Sequence, residues 1–287
     1  MRLVTFRERA GGTAQLGMIA GDRVLFLDTV SRDMLGFIAQ GERALDAARA
    51  MQDGAKGVNL ADVVLCAPIE TPRRNVVCVG LNYAEHVAES ASAAGADAPK
   101  FPVFFTKPPT CVIGPEAEIP WHPHVSTSID WEVELAVIIG EECKDVDEAS
   151  ALDCVFGYTV ANDVTARDLQ ARHQQWYKGK GLDGFCPLGP VIVTRDEIAN
   201  PHTLDIALRV NGDTKQQSNT SHMIFSVARL IAEWSAGMTL LAGDILLTGT
   251  PSGVGVGRKP PEFLKPADVV EAEVTGIGVL RNTVARA

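Results

Sequence analysis

Eight short apolar runs occupy the chain beyond residue 100, at Val103–Phe105, Cys111–Ile113, Glu132–Ile139, Cys154–Val160, Val191–Thr194, Leu204–Val210, Asp244–Thr248 and Val269–Val274. Glycine and proline turns separate them, which is the signature of β-strands. Another run, Val76–Gly80, precedes them. Among these strands the best helix candidates are Val164–Trp176, opening after Asp163, and Ser226–Trp234, following Asn219-Thr220-Ser221. A parallel sheet needs a crossover, usually helical, between successive strands, and these helices are too few. The pattern makes a doubly wound sheet a poor fit and predicts an α+β chain, mainly β, built as a mixed sandwich or roll.

The first part of the chain reads differently. Leu3 to Asp28 looks like short strands broken at Gly11-Gly12 and Gly21-Asp22, and Met34–Met51 has helical spacing ending near Asp53-Gly54. Thr71-Pro72-Arg73-Arg74 then marks a junction, so a small N-terminal α/β domain is expected over 1–72 and the catalytic domain over 73–287. Ala91–Lys100 consists mostly of small residues with little capacity to form a core, and is expected to be mobile.

Composition closes off several functions. Lys and Arg number 26 against 36 Asp and Glu, a net charge of -10 that disfavours nucleic acid and anionic membranes as partners. No segment approaches the ~18 uncharged apolar residues of a membrane helix. Met1–Arg9 reads as a charged strand rather than a signal peptide. The six cysteines contain no CxxC pair, which argues against a disulfide scaffold or structural zinc and for a reducing cytoplasm.

The chemistry concentrates in a few segments. In Asp130-Trp131-Glu132-Val133-Glu134-Leu135-Ala136-Val137, strand alternation puts Glu132 and Glu134 on one face and Val133, Leu135 and Val137 on the other. Adjacent carboxylates repel unless a proton or cation sits between them, although an exposed sheet face would also carry such a pair. Asp163, ending the apolar run through Asn162, is a third candidate ligand, or else a helix N-cap. Three hard oxygen donors suit Mg²⁺ or Mn²⁺ and disfavour zinc. His86 and Glu89, spaced i, i+3, can act together on one water, as can any surface pair on a helix. Lys180, between two glycines, and Thr250, in Thr248-Gly249-Thr250-Pro251, are placed to contact a ligand carbonyl or carboxylate. The last segment is not G-x-S-x-G, a P-loop or a dinucleotide-binding glycine motif.

Together these segments resemble the fumarylacetoacetate hydrolase family. The likeness runs from about Val76 onward, through Gly80-Leu81-Asn82-Tyr83-x-x-His86, Phe105-x-Lys107-Pro108, Asp130–Val137, Gly157-Tyr158-x-x-x-Asn162-Asp163-x-x-Ala166-Arg167-Asp168, Val210-Asn211-Gly212, Met223-Ile224-Phe225 and Thr248-Gly249-Thr250-Pro251-x-Gly253-Val254-Gly255. The resemblance implies a β-sandwich roll behind a small N-terminal domain, usually as a homodimer. It implies Mg²⁺ or Mn²⁺ on Glu132, Glu134 and Asp163, a water-activating His86 and Glu89, a catalytic Lys180, and Arg167, Gln170 and Thr250 on the substrate.

The expected activity is hydrolysis of the carbon–carbon bond of a 2,4-dioxo acid, an acylpyruvate-type small molecule, to pyruvate and a carboxylic acid. The same enolate chemistry also serves decarboxylation of a 2-oxo diacid such as oxaloacetate, and isomerisation of a 2-hydroxy-diene dioate. His86 and Glu89 lean the expectation toward hydrolysis. A non-catalytic binding module would have lost a ligand carboxylate or this pair, and neither is lost.

Overall fold

The structure, a computed structural model, describes residues 1–51, 56–94 and 99–286, without the side chains of 90–94. Residues 95–98 of the Ala91–Lys100 stretch expected to be mobile, and the Asp53-Gly54 helix stop, lie outside the described residues, whereas 91–94 close the helix Ala84–Ala94.

Two sheets make the body. The larger runs in spatial order Gly57–Asn59, Arg23–Phe26, Gln15–Ala20, Arg2–Arg7, Cys186–Thr194, Val155–Asn162, Val133–Ile139, Ile245–Leu247, Val76–Gly80 and Val103–Lys107. Val64–Leu65 and Val112–Ile113 pair onto it at the side. The smaller runs Asp213–Asn219, Asp205–Val210, Val269–Val274, Gly278–Val284 and Glu118–Ile119. The result is an α+β chain, mainly β, with mixed sheets, as the run pattern predicts.

Alternation along Val133–Ile139 explains the layering. Val133, Leu135, Val137 and Ile139 join Ile206, Leu208, Val270 and Val274 of the smaller sheet in one core. Ala136 and Ile138 face the other way, into a second core with Met34, Phe37, Ile38 and Leu45 from helices Met34–Ala39 and Glu42–Ala50. The strand is buried on both faces, so the Glu132 and Glu134 face does not look into solvent.

Local chemistry trims two expected helices. The Met34–Met51 helix is two, because Gly41 between them takes a left-handed φ of 56°. Asp33 caps the first, accepting the Gly36 N–H at 2.7 Å. Of Val164–Trp176, only Arg167–Arg172 is helical at first, and Tyr177–Lys180 forms a separate short turn of helix. Thr165–Ala166 is instead extended, pairing with Ile129–Asp130. Asp163 is therefore no helix cap, since the cap position falls on Ala166. The Ser226–Trp234 expectation is met within one residue by Val227–Ser235, with Ser226 accepting the Arg229 N–H at 3.1 Å.

Candidate active site

Strand register assembles the acidic centre. Val133–Ile139 pairs antiparallel with Val155–Asn162, with Val133 opposite Asn162 and Glu134 opposite Ala161. Asp163 follows directly, its N–H donating to Glu132 O at 2.8 Å. The side chain of Asn162 locks the pairing by accepting the Glu132 N–H at 2.9 Å. Alternation then turns Glu132, Glu134 and Asp163 to the same side. One oxygen from each lies within 4.8 Å of the others, and all three side chains are buried.

Cations surround this cluster. Lys180 Nζ donates to Glu132 Oε2 and Asp163 Oδ2, both at 2.6 Å. Lys107 Nζ donates to Asp163 Oδ1 at 2.6 Å. Arg167 pairs through Nε with Asp130 Oδ2 and through Nη2 with Glu132 Oε1, each at 2.7 Å. Burial alone would raise the Glu132 carboxyl, but Lys180 and Arg167 hold it down at about 2. Burial, with Asp163 and Glu132 beside it, pushes Glu134 well above the ordinary carboxylate range. Burial disfavours the Lys180 ammonium, yet Asp163 and Glu132 outweigh that and raise it, leaving a charged hydrogen-bond donor.

The triad fits a divalent cation. A buried carboxyl driven toward protonation by its two neighbours is a group that a positive ion would relieve. The donor set is all oxygen, the chemistry of Mg²⁺ and Mn²⁺.

A cavity of about 440 Å³ opens over this centre. His86, Glu89, Glu132, Glu134, Arg167, Gln170, Lys180 and Thr250 all line it, so the nine residues singled out in the sequence converge, with Asp163 just behind the wall. Val79, Leu81, Phe105, Trp176, Val254 and Val256 supply its apolar lining. Helix Ala84–Ala94 carries His86 and Glu89, with His86 Nδ1 at 3.3 Å from Glu89 Oε2. Both Glu89 oxygens also lie 3.2 Å from the Gly253 N–H, which ties this helix to the glycine-rich turn. A Cβ at Gly257 would sit 2.4 Å from Glu89 Cδ, so any larger residue there would displace the Glu89 carboxylate.

Three predicted substrate contacts are partly committed within the protein. Arg167 is held by Asp130 and Glu132, and its Nη1 donates to Gln170 Oε1 at 3.0 Å. The Thr250 hydroxyl donates to Val133 O at 3.0 Å and accepts from Gln216 Nε2 at 2.8 Å.

Sequence reasoning gave no role to Lys107, Asp130 or Gln216. Lys107 and Asp130 stood inside quoted motifs, but their partners lie 56 and 37 positions away and only the fold pairs them. Asp130 also accepts the Gly255 and Val256 N–H groups at 2.7 and 3.0 Å, clamping the turn that roofs the cavity. Gln216 reaches from the smaller sheet to Val133 N, Thr250 and Pro251, and its sequence context carries no signal.

Residues 75–285 match the family model for the fumarylacetoacetate (FAA) hydrolase C-terminal region, and the chain belongs to that family. Among its relatives, oxaloacetate tautomerase YisK of Bacillus subtilis is 42% identical over 274 residues, covering 92% of this chain and 90% of the relative. The solved fumarylacetoacetate hydrolase from psychrophilic Exiguobacterium antarcticum matches with a TM-score of 0.87 and 40% identity over 100% of both chains. Maleylpyruvate hydrolase from Sphingobium, solved with manganese(II) and pyruvate, matches at 0.82 and 30%, again over 100% of both. Such relatives are enzymes, some named as tautomerases and others as hydrolases, so the reaction must be argued from the site. Among the described residues, no helix is long and apolar enough to cross a membrane.

Proposed function

We propose that this protein is a divalent-metal-dependent tautomerase of a small 2-oxo diacid such as oxaloacetate, interconverting its keto and enol forms. The reading departs from the hydrolysis toward which the motifs leaned and keeps the enolate chemistry that all the expected reactions share. The observation that carries it is the burial of Glu132, Glu134 and Asp163 against a charged Lys180, beside a cavity that His86 and Glu89 line. The likeness to oxaloacetate tautomerase YisK, over most of both chains, supports the substrate class.

When bound, the cation supplies Lewis-acid stabilisation of negative charge at the 2-oxo oxygen, worth several kcal/mol in such sites. Gln170 and the Thr250 turn orient the substrate carboxylates. Glu89 takes a proton from C3 of the keto form and passes it to the 2-oxo oxygen to complete the enol, the reverse reaction retracing both transfers, with His86 steadying its carboxylate. Lys180, held as an ammonium by Glu132 and Asp163, donates toward the oxygen on which charge develops. Phe105 and Trp176, with ring centroids 5.3 Å apart, set an apolar wall beside the transferred proton.

Hydrolysis of a 2,4-dioxo acid is the second reading. The His86 and Glu89 pair, at 3.3 Å, favours it because the same carboxylate could activate a water. The experiment follows the enol absorbance of oxaloacetate with Mg²⁺ or Mn²⁺, with and without EDTA, while assaying pyruvate and carbon dioxide. Faster interconversion than in buffer, abolished by EDTA and with no pyruvate formed, is expected. Stoichiometric carbon dioxide would replace the reading with decarboxylation. Inertness toward oxaloacetate, with pyruvate and a second acid released from acylpyruvates, would replace it with hydrolysis.

A further inference from the structure

Lys107 ends the Val103–Lys107 strand at the edge of the larger sheet, yet its side chain is fully buried. Nζ donates to Asp163 Oδ1 at 2.6 Å and to Val164 O at 3.1 Å. The thiols of Cys78, Cys111 and Cys186, all buried, stand around it. Stability is a poor reason to keep such a group, because exchanging a buried ion pair for apolar residues is often neutral or favourable.

Lys107 occupies Asp163 Oδ1, whereas Oδ2 meets Lys180, which lines the cavity and would have to yield it to an ion. The other ligands are restricted in the same way. Glu134 Oε2 accepts the Gly249 N–H at 2.6 Å, and the Glu132 oxygens face Arg167 at 2.7 Å and Lys180 at 2.6 Å. Each triad carboxylate thus has at least one oxygen engaged by the protein, which works against two-oxygen ligation of one ion. Ca²⁺ takes about 6–8 oxygens and commonly uses both oxygens of a carboxylate, whereas Mg²⁺ demands a compact octahedron of about six.

We propose that Lys107 is a positioning residue that sets metal selectivity: by holding Asp163 Oδ1, it limits Asp163 to one-oxygen ligation and turns the triad away from Ca²⁺ toward Mg²⁺ and Mn²⁺. The inference rests on the triad holding a divalent ion, as the proposed function requires.

The test is titration calorimetry on the full chain, stripped with EDTA and desalted, using Mn²⁺ and Ca²⁺ separately. The wild type should bind Mn²⁺ at least about tenfold more tightly than Ca²⁺, and Lys107→Met should narrow that ratio by about tenfold. Removing a positive charge strengthens both ions electrostatically, so the ratio isolates the geometric effect. Thermal unfolding in EDTA verifies that the variant is folded. A folded Lys107→Met with the wild-type ratio overturns the role of Lys107. A wild type that binds Ca²⁺ as tightly as Mn²⁺ overturns it without recourse to any variant. A wild type that binds neither ion refutes instead the metal reading of the triad.

Discussion

Asp130 and Arg167 form a buried ion pair whose strength can be measured by a double-mutant cycle. Asp130 is fully buried and accepts four donors: Trp131 N–H and Gly255 N–H on Oδ1, and Arg167 Nε and Val256 N–H on Oδ2. Asp130→Asn keeps the first two, but aims an amide N–H₂ at two donors and leaves Arg167 to its pairing with Glu132. Removing one member of a buried pair costs about 3–5 kcal/mol, and the retained Oδ1 contacts place this variant near the lower end. Arg167→Met removes the cation instead, leaving Asp130 Oδ2 with Val256 alone, while Glu132 keeps Lys180. Its cost belongs in the same range. In the double variant neither residue is left as an uncompensated charge, so the combined cost should fall short of the sum by about 2 kcal/mol. Urea unfolding of the four proteins in EDTA, where no bound metal contributes, provides the numbers. Costs that add within about 0.5 kcal/mol would refute the claim that the two side chains act as one unit.

Other perturbations separate the remaining roles. Glu89→Gln should lower kcat for oxaloacetate interconversion by about 10² or more with Mn²⁺ affinity unchanged, and a near-normal kcat would remove Glu89 as the proton acceptor. Gly80→Ala would put a Cβ 2.3 Å from Trp176 Cζ3, so the indole must swing within the cavity wall. A loss of about 1–3 kcal/mol in stability and a shifted tryptophan emission are expected, and an unmoved emission spectrum would contradict that packing. Burial lowers the His202 imidazole from its ordinary 6.5, and neutral Nε2 accepts the Val227 N–H at 3.1 Å. The unfolded chain therefore binds the proton first, so stability should decline as pH falls through 6.5 and below. His202→Gln should flatten that decline, and an unchanged slope would assign it elsewhere.

Periodicity told most where a single strand decides the outcome. The shared face of Glu132 and Glu134 follows from alternation alone. That both faces are covered does not, because helices from residues 34–50 and a sheet from residues 205–284 supply the layers. The ends of helices were less legible. Val164 and Thr165 suit either a strand or a helix, and pairing of Thr165 with Asp130 decides for the strand. Gly41 has the flexibility to break a helix, but whether it does so is set by the packing of the helices it joins. Lys107 shows the deepest limit: a lysine ending a strand reads as a solvated edge charge, and only the neighbouring Asp163 makes it a buried one.

The opening strand of the larger sheet, Arg2–Arg7, is stitched to Cys186–Thr194, and the backbone of Met1 receives the Thr194 N–H. These partners are 193 positions apart. At about 5–20 residues synthesised per second, the first strand leaves the ribosome roughly 10–40 s before its neighbour exists. In that interval the strand can draw on Gln15–Ala20, Val64–Leu65 and the helices of 34–50, but its edge toward Cys186–Thr194 stays unpaired. Such distant pairing slows folding, so this edge is open to wrong partners until Cys186–Thr194 has been made.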